Sequence, residues 1–258
     1  MDSLVHPTAK PFPVFLYHRV GQADDRLTVE LETFASHVAL IADSGRTSLT
    51  ITELAACLGG DRPMPDAPVV LTFDDGYADT RATVELAHAA GLKSTLYVTT
   101  GEVDTPGAIS SSDLTALADA SAYVELGAHT VTHPRLDELD AATAEREITA
   151  SRDALQQAIG GPVGSFAYPY GSHTATTRQI VIDAGFSSSA AVKNALSHSA
   201  DDPWAIARVT VTRDTSTAQI EALLRGEGAP LSWKGERWRT RGFRAVRRAR
   251  RRVRAGST

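Results

Sequence analysis

The stretch Val69–Thr80, VVLTFDDGYADT, decides the fold. Val69, Val70, Leu71 and Phe73 make an apolar run of strand length that ends near Gly76, so the run reads as a buried strand. Its oddity is the pair of adjacent carboxylates at its end, Asp74 and Asp75. Charges at the mouth of a buried strand are costly unless something uses them. Two acids could cap the helix that follows, as carboxylates do at strand-to-helix turns. A pair of histidines further along the chain argues for another task.

Outward from Val69 the sequence alternates short β-branched or apolar runs with longer amphipathic ones. The pattern predicts strands at Val14–Tyr17, Val69–Phe73, Ser94–Val98, Val124–Gly127, Ser165–Ala167, Ser187–Ala191 and Val209–Val211, with a weaker one near Ser48. Helices are expected at Leu31–Ala42, Tyr77–Ala90, Ser111–Asp119, Ala141–Ile159, Ala175–Ala184 and Thr217–Leu224, and Gly91, Gly160 and Gly185 stand where helices often end. Seven or eight strands alternating with helices form βα units and point to a closed or nearly closed parallel barrel.

The 258 residues suffice for one such barrel, and 42% apolar with 22% charged residues is the balance of a soluble globular chain. No segment approaches the roughly eighteen unbroken apolar residues of a membrane span. The start, MDSLVHPTAKPFPVFLYHRV, lacks the basic onset and apolar stretch of a secretory signal, so a cytoplasmic location is expected. The single cysteine, Cys57, has no partner for an internal disulfide and reads as a small apolar residue on a helix.

Charge is unevenly placed. From Lys234 onward there are eleven Lys and Arg against one acid, Glu236, although the whole chain carries −5. GEGAPLSW, Gly226–Trp233, reads as a linker into this basic tail, which can form a helix with Phe243, Val246, Ala249 and Val253 in one sector. Together with Trp238, that sector makes an anionic membrane surface the expected partner of the tail, on the inner face of the membrane. The acidic body makes nucleic acid a poor alternative.

The chemistry is carried by three stretches that follow predicted strands. In LGAHTVTHPRL, His129 and His133 are spaced to converge on one metal ion, with a carboxylate as third ligand and an open position for water, the arrangement of a catalytic zinc site. One aspartate can then ligate while the other stays free to accept a proton, and strand alternation is expected to separate the two. In SFAYPYGSH, proline and glycine hold a turn that can present the Tyr170 N–H to an oxyanion. All three segments are expected on one rim of the barrel. Trp204 is expected in the core, and His6, His37, His88 and His173 read as ordinary histidines.

These motifs resemble those of the polysaccharide deacetylase family, the NodB-homology group of metal-dependent carbohydrate esterases. TFDDG, Thr72–Gly76, resembles its first motif, HTVTH, His129–His133, its second, and YPYG, Tyr168–Gly171, most of its third. The resemblance covers roughly residues 13 to 225. It implies a distorted (β/α)7 barrel, with 1–12 as an N-terminal extension, 13–228 as the catalytic domain and 229–258 as the basic tail. It also implies Asp74 as general base, and Asp75, His129 and His133 as ligands of a divalent metal ion, with Zn2+ expected. Where the family carries an arginine that braces the catalytic aspartate, this chain has Ala167, and Arg208 is the candidate to replace that cation. The general acid is expected to be His198, in LSH, or His18, in FLYHRV.

The resulting expectation is a hydrolase that removes an acyl group, N-acetyl first, from an amino sugar of a glycan or lipid-linked glycan precursor. The competing expectation is a silent glycan-binding or scaffold protein on the same barrel. The complete carboxylate and histidine sets favour the enzyme, because a binder has no need of an unligated aspartate.

Overall fold

The structure, a computed structural model, describes residues 10–235. The tail helix expected around Trp238, Phe243, Val246, Ala249 and Val253 lies outside the described residues, as does most of the N-terminal extension.

In chain order the elements are β1 (Val14–Tyr17), β2 (Arg19–Val20), β3 (Thr28–Val29), α1 (Leu31–Asp43), β4 (Thr47–Leu49), α2 (Ile51–Gly59), β5 (Pro68–Phe73) and α3 (Thr80–Ala89). They continue as β6 (Ser94–Val98), α4 (Ser111–Asp119), β7 (Val124–Ala128), α5 (Ala141–Ile159), β8 (Ser165–Ala167), α6 (Ala175–Asp183), β9 (Ser188–Val192), β10 (Ile206–Thr210) and α7 (Thr217–Leu224). Strands β5 to β10 follow one another in parallel pairs, β10 pairs with β1, and β1 pairs with β5 from Val14↔Val70 to Tyr17↔Phe73. Seven strands thus close a barrel. The distortion sits at two places: β4 pairs only with the first half of β5, and β7 meets β8 through the single pair Ala128↔Phe166.

Alternation along the strands sorts side chains into two cores, as the two-residue repeat of an extended chain requires. Phe15, Tyr17, Val69, Leu71, Phe73, Leu96 and Val98 pack with the surrounding helices. Val14, Val70, Tyr97, Ala167, Ala190 and Ile206 cluster instead with Ile51, Leu54 and Cys57 of α2, which closes the N-terminal mouth of the barrel. The Thr50 capping box starts α2, and Glu125 from β7 accepts its Thr52 N–H at 3.0 Å. The sequence marked α2 only around Cys57, without bounds for the helix. Cys57 lies buried on it, as a small apolar residue should.

Four expectations are corrected. The last strand is Ile206–Thr210, three residues earlier than the β-branched run Val209–Val211 suggested, so Arg208 lies inside the strand. Helix α3 starts at Thr80, which leaves Asp75–Asp79 as a turn. The stretch expected to be a linker is docked: Leu231 bridges Leu196, and the Ser232 Oγ donates to Asp201 Oδ1 at 2.6 Å. Its Gly and Pro content suggested a spacer, but its backbone completes pairings on the barrel. At the other end Phe12 is buried and pairs with Ser197, so the barrel begins before residue 13.

Gly127 is a position where only glycine fits. A Cβ there would lie 2.6 Å from the Tyr97 ring and 2.7 Å from the Ser165 Oγ. Gly127→Ala is therefore expected to destabilise the protein by about 1–3 kcal/mol, the range for overpacking a filled interior, read as a lowered Tm.

Candidate active site

The site forms where β1, β5, β7 and β8 end. Asp74 follows β5 and continues the inward row of Val70 and Thr72, with its backbone N–H donating to Tyr17 O. Asp75 is left-handed at φ 76°, followed by Gly76 at φ 81°. This turn corrects the expectation from strand alternation: the two carboxylates do not point to opposite faces but reach the same histidine. His129 Nε2 lies 3.7 Å from Asp74 Oδ2 and 3.5 Å from Asp75 Oδ1, and His133 Nε2 is 3.3 Å from Asp75 Oδ1.

The second motif turns sharply, with Thr130 and His133 at φ 68° and 56°. Glu147 of α5 ties the loop between the histidines, accepting from the N–H groups of Val131 and Thr132 at 2.9 and 3.0 Å and from the Thr132 hydroxyl at 2.8 Å. His129 is buried, and its Nδ1 donates to the Ala167 carbonyl at 2.8 Å. That bond fixes the tautomer and leaves the Nε2 lone pair directed at the carboxylates, as in metal-ligating imidazoles. Burial lowers the pKa of His129, further favouring the neutral ring.

Arg208 answers the missing motif arginine. Fully buried on β10, it crosses the barrel interior and grips Asp74 with both Nη atoms, at 2.6 and 2.8 Å, while also donating to Thr72 Oγ1 and Ala191 O. Such a two-point pair fixes both position and plane of a carboxylate. Burial opposes the charge of Asp74, but the Arg208 guanidinium outweighs it and holds its pKa at about 2. His18, just beyond β1, adds to the same pull, and its Nδ1 is buried without a hydrogen-bond partner.

His198 is elsewhere. Its neighbour Ser197 pairs with Phe12, two residues before β1, whereas Asp74 is bonded at the end of that strand. Five extended residues separate these levels by about 16 Å. The expectation of His198 as an acid fails because LSH folds back along the barrel wall toward its N-terminal end. Tyr170 is at the site, left-handed at φ 58°, with an exposed ring 4.7 Å from the His133 ring and Arg135 stacked 3.9 Å over it. Gly171 holds the turn against β9, where a Cβ would meet Val192 N at 2.5 Å. Trp204 packs against the core as expected, His37 bonds Tyr17 and Thr215 O there, and His88 and His173 stack on tyrosines.

The donor atoms of Asp75, His129 and His133 lie within 4.8 Å of one another. Asp75 Oδ1, buried and without a hydrogen-bond partner, faces both imidazole nitrogens. Two imidazole nitrogens and a carboxylate whose facing oxygen has no hydrogen-bond partner are the donor set a zinc-like cation takes.

The polysaccharide deacetylase family model matches residues 61–189, half of the chain. The chain belongs to the polysaccharide deacetylase family. A Bacillus subtilis (strain 168) relative, YxkH, whose name carries polysaccharide deacetylase as an inferred activity, is 22% identical over 84% of this chain and 78% of its own length. Among solved structures, the Streptococcus pyogenes deacetylase PplD, in complex with acetate, superposes with a TM-score of 0.76 at 20% identity, over 84% of this chain and 99% of that one. IcaB from Ammonifex degensii gives 0.72 at 24% over 84% and 97%, and a de-N-acetylase from Aggregatibacter actinomycetemcomitans 0.71 at 17% over 82% and 99%. These likenesses agree with the (β/α)7 barrel seen here.

Sequence reasoning missed Glu147, the Ala167 carbonyl, and Arg19 and Tyr77 beside Asp75. Backbone acceptors and residues that brace a loop from another element leave no local signature. Arg19, adjacent to His18 at a strand end, did carry one.

Proposed function

We propose that the protein is a metal-dependent hydrolase that removes an N-acetyl group from an amino sugar of a glycan or lipid-linked glycan precursor. The observation that carries this reading is an ionised aspartate, Asp74, held by Arg208 beside a separate three-residue ligand set. A divalent cation held by Asp75, His129 and His133 would supply Lewis-acid polarisation of the acyl carbonyl and acidify a water. Asp74, clamped by Arg208 and so kept from swinging into the ligand set, takes the proton of the attacking water. The Tyr170 turn offers its N–H toward the developing oxyanion, while the ring walls the cleft beside His133. His18 gives a proton to the departing amine. The acetylated-sugar substrate follows from the family, and the name of the Aggregatibacter neighbour supports nitrogen as the acyl-bearing atom.

Acetate release from matched N-acetyl and O-acetyl sugar panels tests the reading. Turnover of N-acetylated oligosaccharides is expected, and release from O-acetyl sugars alone would refute the amide assignment. His18→Ala is expected to slow amide hydrolysis by about 10²-fold or more and abolish the alkaline limb of its pH profile, with a milder effect on an activated ester, whose leaving group needs little protonation. His198→Ala should leave both unchanged. Loss of amide hydrolysis in His198→Ala but not His18→Ala would reverse the assignment.

A further inference from the structure

We propose that Arg19 heads a subsite for an oxyanion, phosphate or carboxylate, carried by the acetylated sugar. The proposal rests on the deacetylase reading and names its substrate class. Arg19, Tyr77, Thr99 and Glu102 line a cavity of about 320 Å³ together with Asp75 and His133. The cavity therefore opens directly off the ligand set. Its volume lies at the small end of ligand pockets, suited to one sugar with a compact substituent.

The guanidinium of Arg19 is held before any ligand arrives. It rests on the Tyr77 ring, 4.6 Å from the centroid, and its Nε faces Asp79 Oδ2 at 3.5 Å. That separation exceeds the roughly 2.7–2.9 Å of a charge-assisted hydrogen bond, so Asp79 orients Arg19 without saturating it. Gly107, at φ 89°, stands next to Nη2, and the Arg19 side chain, 30% exposed, makes its ion pair through Nε, so that among the described residues neither Nη has an ion-pair partner. A stacked guanidinium with an open Nη edge is a fork for bidentate oxyanion contact. Of the two carboxylates in the lining, Asp75 belongs to the ligand set and Glu102 is exposed. The charge of Glu102 is screened by solvent more than that of the half-buried Arg19. Thr99 adds a buried hydroxyl without a hydrogen-bond partner. A sugar held with its acetamide at Asp75 and His133 would extend an adjacent substituent toward this edge.

Calorimetric titration of the zinc-loaded protein with N-acetylglucosamine, its 1-phosphate and N-acetylmuramic acid tests the subsite. At least one anionic sugar is expected to bind about ten-fold or more tightly than the neutral one. The 1-phosphate and the muramic acid distinguish a phosphoryl from a carboxylate substituent. Arg19→Gln should erase the preference, and Arg19→Lys should keep part of it and guard against misfolding as the cause. Repeating the titrations on zinc-free protein separates oxyanion capture by the cation from capture by Arg19, whose share should persist there. Equal affinities for all three sugars, or an undiminished preference in Arg19→Gln, would overturn the proposal. Binding needs no turnover, so acetate release by the unmodified protein from a neutral oligosaccharide judges the deacetylase reading separately.

Discussion

Asp74→Asn is expected to lower acetate release by about 10²–10⁴-fold, the worth of a positioned general base, while the protein keeps its zinc. Asparagine preserves the shape of the side chain and a hydrogen-bond acceptor for Arg208, but it cannot take a proton. The neighbouring Asp75→Asn should behave differently, because its Oδ1 faces both His129 and His133 and is the anionic member of the ligand set. That variant should lose zinc, with activity falling in proportion to the metal lost. Metal content measured alongside turnover distinguishes the two roles. If both variants bound zinc alike and stayed active, the division of labour between the carboxylates would be wrong.

Arg208→Met should damage both stability and rate. Removing one member of a buried pair strands the other, at a cost of about 3–5 kcal/mol. The pH dependence follows from the lowered pKa of Asp74, about 2. With the folded value below the unfolded carboxylate value of about 3.9, the stabilising contribution is complete above that value and is lost as pH falls toward 2. Without the cation, burial favours the neutral acid, the pKa of Asp74 rises, and the acid limb of kcat/KM moves to higher pH. Denaturant unfolding across pH and the rate profile of the variant would show both effects. An unmoved acid limb would mean that Arg208 does not set the charge of Asp74.

Much of this site was legible in the sequence, for a physical reason. Asp74, Asp75, His129 and His133 follow apolar strand runs, and parallel strands bring their C-terminal ends to one rim. What failed to read was long-range or conformational. The shared direction of Asp74 and Asp75 depends on a left-handed residue, which strand alternation cannot show. The expectation for Arg208 rested on the missing cation at Ala167, but its geometry depends on an earlier strand start and on a path across the barrel interior to Asp74. His198 matched a string and lies at the wrong end because the chain reverses after β9 to pair Ser197 with Phe12. Of helix α2 the sequence marked only the surroundings of Cys57, and the pairing of Arg19–Val20 with Thr28–Val29 is too short to leave a pattern.

The most direct test of the central claim is a zinc titration of chelator-stripped protein that reads bound metal and acetate release from an N-acetylglucosamine oligosaccharide together. Activity should be absent at the start, rise in step with zinc and level off at one ion per chain. Full acetate release by the stripped protein, or one tightly bound zinc with no acetate released from any acetylated sugar, would contradict it.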